Sequence, residues 1–285
     1  MAAEKSPTVR GKRLGIELRR LRRGVELTIE DVAKQLRISE SRLSRIETGK
    51  AAAQSRDIKK LLDLYGVTDE TQRELLLQIA REAQQKGWWT DYEEVLPAGF
   101  ETYVGLETEA ERLRVYATIL VPGLLQTEDY ARAMIRAMRG ELAEEVDELV
   151  SLRMRRQERL TGEDPLNLWA VVDEAALRRP IGGHAVMRAQ LDHLIESGKL
   201  AHVTIQVLPF AKQAHAGLAG PFDIVEFPQP SDQDVVCIDS SGGNVYVEKS
   251  RDVRRHKLVF EHLCAMALDP RESASFIESV KRELA

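Results

Sequence analysis

Two cysteines, Cys237 and Cys264, are too few in a 285-residue chain for a disulfide scaffold or a four-cysteine zinc site. Long apolar runs are lacking as well: none approaches the roughly 18 residues that a membrane span needs. The opening MAAEKSPTVRGKR is polar and basic with no apolar segment behind it, so no secretory signal is expected and a reducing cytoplasm is the expected location. Histidine is sparse, and His184, His193, His202 and His215 show neither H-x-H nor H-E-x-x-H spacing. No Walker loop and no G-x-S-x-G occurs. Asp173-Glu174 follows the strand-like LNLWAVV, but no E-x-K or D-x-K follows on a later strand, so a solvated strand end is expected there. These absences argue against an enzyme, and no metal and no cofactor is expected.

What is present is a sharp charge asymmetry. The net charge of -5 splits into 16 Lys+Arg against 8 Asp+Glu over residues 1–60, and 25 against 38 over the rest. A basic end joined to an acidic body suggests a polyanion-binding module carried by a region that does not bind polyanions. The length suits about two domains.

Periodicity locates them. Residues 1–12 are expected to form a basic arm, followed by a helix whose Leu14, Leu18, Leu21 and Val25 share one face. Thr28 is a candidate N-cap for a second helix, with Asp31 as capping-box partner and Ile29, Val32, Ala33 and Leu36 as its buried side. Ser39 can cap a third helix that Thr48-Gly49 ends. RDIKKLLDLYG and DETQRELLLQIAREAQQ complete an all-α N-terminal domain of about five helices over residues 13–82. GWW breaks the pattern, so a hinge is expected at 83–95 and an α+β domain at 96–285. In that second domain ETEAERLRVYATIL, EDYARAMIRAM, EEVDELVSLRMRRQERL and VMRAQLDHLIESG read as helices, and two more close the chain. LNLWAVVD, HVTIQVLPF, FDIVEF, DVVCID and NVYVE read as strands, with SSGGN as a hairpin loop. Trp88, Trp89, Tyr92, Phe100 and Tyr103 fall near the junction, where hinge packing is the first expectation and an aromatic pocket the second. VPGLLQTEDY is a candidate lining for a partner groove, and EEVDELVSLRMRRQERL is either a dimer helix or an ordinary surface helix.

The third helix carries the chemistry. Only Leu43 and Ile46 anchor it, while Ser41, Ser44, Arg45 and Thr48 lie on the opposite side and Arg42 on the flank. Short hydroxyls allow close approach to base edges, and an arginine can fork onto guanine or hold a phosphate. Two helices joined by a tight turn, the first with Ala33 at the crossing, form a helix-turn-helix arrangement.

LGIELRRLRR…LTIEDVAKQLRISESRLSRIETGK resembles the Xre or phage-repressor type of helix-turn-helix over residues 13–75, most specifically in its S-x-S-x-L-S-R-I-E-x-G-K ending. The resemblance implies base-facing positions at Glu40, Ser41 and Arg45. It assigns phosphates or flanking bases to Ser39, Arg42, Ser44 and Lys50, and adds Thr28 to the DNA-binding set. Arg22 and Glu47 match a structural ion pair. Three departures stand out: Ile29 replaces a phosphate-gripping glutamine, Arg37 replaces a turn glycine, and Glu26 stands where glycine is frequent.

From GWW through YVGLETEAERLRVYATILVPGLLQTEDYARAMI to VTIQVLPF and GPFDIVEF, the remainder resembles the C-terminal domain fused to Xre-type helix-turn-helices in actinomycete WhiJ-like and antitoxin-like regulators. That implies a transcriptional regulator whose C-terminal domain is modulated by a partner or a signal. Double-stranded DNA, through a palindromic operator read by a homodimer, is the first expected partner; a small protein encoded nearby is another. An antitoxin-like sequestering protein and a small-molecule-responsive repressor remain alternatives, and no membrane association is expected.

Overall fold

A computed structural model describes residues 9–49, 51, 53–83, 87–97, 99–139, 145–229, 232–239 and 243–284. Most of the expected basic arm, Lys50 and the start of the SSGGN loop lie outside the described residues. The chain divides into two compact units, Met1–Thr90 and Asp91–Ala285.

The first unit is all-α: α1 Val9–Gly24, α2 Ile29–Leu36, α3 Glu40–Glu47, α4 Ser55–Leu64 and α5 Glu70–Glu82. Helix α1 begins four residues before the expected start, so residues 9–12 are helical rather than part of an arm. Leu14 and Leu18 of α1, Val32 of α2, Leu43 and Ile46 of α3, and Ile58 and Leu62 of α4 meet in one buried cluster. Each helix contributes its narrow apolar stripe, and burying these stripes together drives the assembly. Gly15 lets α1 lie against the end of α3, since a Cβ there would sit 2.5 Å from the Glu47 carbonyl oxygen.

The second unit is α+β. Its elements are α6 Phe100–Glu109, β1 Arg112–Ala117, α7 Glu128–Arg139, α8 Val146–Gln157, β2 Asn167–Asp173, α9 Glu174–Arg178, α10 His184–Ser197, β3 Val203–Leu208, β4 Phe222–Glu226, β5 Val235–Ile238, β6 Val245–Val247, α11 Ser250–Met266 and α12 Pro270–Glu283. The six strands form one mixed sheet in the order β3-β2-β1-β4-β5-β6. Strand β2 runs parallel to β1 and β3, with Leu113 opposite Leu168 and Ala170 opposite Ile205. The β1-β4, β4-β5 and β5-β6 pairs are antiparallel. Tyr116, Val171, Phe222, Ile224, Val236, Phe260 and Leu263 share a core between the sheet and α11. Helix α8 buries Val146, Leu149, Val150 and Leu152.

ETEAERLRVYATIL is not one helix. Its first residues close α6, and RLRVYA is β1, a central strand with partners on both sides. Leu113, Val115, Tyr116 and Ala117 are all buried, and burial on both faces erases the alternation that marks a half-exposed strand. The Asp173-Glu174 pair also departs from expectation. Asp173 caps α9 by accepting from the Ala175 amide, and Glu174 is buried, accepting from the Phe210 amide at 2.8 Å.

Two pairs of the aromatic residues near the junction are each formed within one unit. Trp88 and Trp89 meet edge to face in the first unit, whereas Phe100 and Tyr103 stack 5.5 Å apart on α6 beneath the Arg156 guanidinium. That arginine forks onto Glu107 with two 2.7 Å hydrogen bonds, and both side chains are almost fully buried.

Candidate nucleic-acid interface

Helix α3 is placed by its two ends and its underside. Ser39 accepts from the Arg42 amide at 3.1 Å and caps the N-terminus. At the other end Thr48 donates back to the Ser44 carbonyl at 2.8 Å. Leu43, Ile46 and Glu47 are buried, while Glu40, Ser41, Arg42 and Arg45 are exposed and Ser44 half-buried.

One guanidinium ties three segments together. Arg22, on α1, donates from Nε and Nη2 to the two Glu47 carboxylate oxygens at 2.7 and 2.9 Å. Its Nη1 donates at 2.7 Å to the Leu27 carbonyl, in the turn leading to α2. The hydrogen bonds to Glu47 raise the Arg22 pKa further, so the guanidinium stays charged. The structural pair implied by the resemblance is therefore formed, and it holds α3 to α1.

The turn between α2 and α3 contains a strained residue. Arg37 has φ 53 and ψ 45, in the left-handed region where an L side chain crowds its own backbone. The conformation persists because the chain must reverse there: the Arg37 and Ile38 amides both donate to the Ala33 carbonyl. Glu26 has φ 57, so two of the departures from the family pattern sit where a glycine would relax the backbone. We expect Arg37→Gly to stabilise the first unit by up to about 1 kcal/mol, read as a higher midpoint in denaturant. A lower midpoint would show that the Arg37 side chain contributes more than its backbone costs.

The sequence-assigned residues occupy different settings. Thr28 caps α2 in a closed capping box, its hydroxyl donating to Asp31 and accepting from the Asp31 amide. Arg42 is held at 2.7 Å by Asp57 of α4, which directs it along the flank of α3. Glu40, Ser41 and Arg45 are all exposed on α3. Two features escaped sequence reasoning: the Asp57 anchor, which is remote in sequence, and the αL geometry at Glu26, whose only signal was a family position.

A short helix with a small, hydroxyl-bearing and basic outer face, set after a tight turn on a second helix, defines a helix-turn-helix DNA-binding regulator. Comparison agrees: residues 13–76 match a helix-turn-helix domain family. Residues 100–279 match the family described as a domain of unknown function (DUF5753), and the chain belongs to that family. No curated protein and no solved structure matches the chain. Among the described residues no helix is long and apolar enough to cross a membrane.

Proposed function

We propose that this chain is a sequence-specific transcriptional regulator of the Xre type, acting in the cytoplasm. Helix α3 enters the major groove of an operator, and the C-terminal unit sets its activity through what it binds. The observation that carries this reading is the outward side of α3, where Glu40, Ser41 and Arg45 are exposed while Leu43, Ile46 and Glu47 are buried. Phosphate neutralisation by the basic first unit supplies affinity and register, and base-edge contacts from Ser41 and Arg45 supply discrimination of about 1–3 kcal/mol per bidentate pair. Ser39, Arg42 and Ser44, with Lys50 assigned from sequence alone, serve phosphates and flanking bases. One head offers few base contacts, so a homodimer placing two heads one helical turn apart on a palindrome is part of the proposal. Light scattering that finds only monomer with and without operator DNA would remove the dimer.

Fluorescence-anisotropy titrations against selected and random duplexes, repeated over a salt series, test the roles. Arg45→Ala is expected to narrow the gap between selected and random DNA. Lys50→Ala is expected to weaken both alike and lower the slope of log affinity on log salt by about 1. Equal losses on both duplexes for both variants would overturn the assignment, and no retention of any duplex at modest ionic strength would overturn DNA reading altogether.

A further inference from the structure

The second unit contains a cavity of about 350 Å³, within the range of roughly 300–1,000 Å³ typical of small-molecule sites. Its walls are mainly apolar. Leu113, Val115 and Ala117 of β1 alternate onto it, joined by Leu168 of β2, Leu124 of the turn after β1 and Met134 of α7. Ile119 and Met138, both exposed, also line it. VPGLLQTEDY, read from sequence as a groove lining, supplies Val121 to Leu124 and Gln126.

The polar end of this cavity is unbalanced. Arg156 is neutralised by its two hydrogen bonds to Glu107. Asp223 accepts from the Tyr103 hydroxyl at 2.6 Å, and burial pushes its carboxyl up to about 7, so it is only partly charged near neutral pH. Asp239 is exposed. Arg153 has no such partner: Nη1 donates to the neutral Gln126 Oε1 at 2.8 Å, Nε has no acceptor, and among the described residues no carboxylate ion-pairs with it. Burial, reinforced by the neighbouring Arg156, pushes its pKa down to about 10, so it remains a cation. Gly123 leaves room for it, since a Cβ there would lie 3.2 Å from Arg153 Nη1. A guanidinium held against an apolar cavity with no ion-pair partner, attracted by Glu107 and Asp239 only through space, is costly, and a ligand anion lowers that cost.

We infer that the second unit binds a small amphipathic carboxylate, its apolar body in the cavity beside β1 and its head group forked onto Arg153. Charge complementarity selects the anion, and apolar walls around a volume of this size select a small molecule. The site lies wholly within Asp91–Ala285 and is tested without DNA, so its fate is separate from that of operator reading.

Isothermal titration calorimetry of the full chain with decanoate and with decanol at neutral pH tests it. Decanoate is expected to bind, and decanol about 30-fold or more weaker because it leaves the half-buried Arg153 charge without an ion-pair partner. Arg153→Met is expected to reduce decanoate affinity by a similar factor with little effect on decanol. The same variant keeps or raises the melting temperature, because it removes a half-buried cation without an ion-pair partner, whereas Arg156→Met lowers it by stranding Glu107. Equal affinity for acid and alcohol, unchanged decanoate binding in Arg153→Met, or no decanoate binding up to millimolar concentration overturns the inference. So does a fall in melting temperature for Arg153→Met as large as that for Arg156→Met, which would make Arg153 a structural cation. A short peptide with an apolar C-terminal residue that binds where decanoate does not would overturn it in favour of a partner's chain end.

Discussion

Arg22→Ala is expected to cost the first unit about 3–5 kcal/mol, the range for breaking one side of a buried ion pair. Glu47 would be left almost fully buried without its cation, and the Leu27 carbonyl would lose its donor. Native-state hydrogen exchange on peptides covering α1 to α3 reads this as roughly a hundredfold or greater loss of protection, with peptides from β1 to β3 as internal reference. Arg22→Met combined with Glu47→Leu should recover most of the loss, because apolar replacement of both partners leaves no charge stranded. A change in exchange of less than tenfold for Arg22→Ala would mean that the pair does not hold α3 in place. DNA affinity should fall in Arg22→Ala by the same factor on selected and random duplexes, since the defect lies in where the helix sits and not in what its outer side touches.

Much of the architecture was legible because its causes are local. The caps at Thr28 and Ser39, the stripes of α1 to α5, and five of the six strands all announce themselves by spacing and by residue type. Strand β1 did not. In RLRVYA the buried positions include three in a row, and the flanking ETEAE and TIL extend a plausible helical stripe, so period alone cannot separate a doubly buried strand from a buried helix. Only the ladder with β2 and β4 decides it, and that ladder depends on residues more than fifty positions away.

The two sites differ in the same way. The outward side of α3 was visible because a helical wheel converts spacing directly into direction. The cavity of the second unit was not, although its Pro-Gly segment stands out in the sequence. Arg153 and Arg156 stand in the run RMRRQER, where four arginines look alike; Glu107 and Asp223, on separate elements, decide that Arg156 is neutralised and Arg153 is not. No spacing rule carries that distinction.

Arg45→Glu is the variant expected to damage DNA binding most. Arg45 is exposed on the side of α3 opposite Leu43, so the exchange should leave the fold intact. On the proposed role of Arg45, it removes a donor fork worth about 1–3 kcal/mol toward a guanine and sets a carboxylate against the phosphate field. The two effects act in the same direction, and a loss of about a hundredfold or more on the selected duplex is expected. Added salt should narrow the difference between Arg45→Glu and the parent chain, because screening weakens both the lost attraction and the new repulsion. Ser41→Glu, one turn earlier on the same side, should behave alike, whereas Glu70→Arg at the start of α5 should leave the preference for selected over random DNA unchanged. Anisotropy titrations of the three variants, each checked for an unaltered melting temperature, measure this. If Arg45→Glu and Ser41→Glu bind the selected duplex as the parent does, the outer side of α3 is not the reading surface, and the basic first unit meets DNA through some other face.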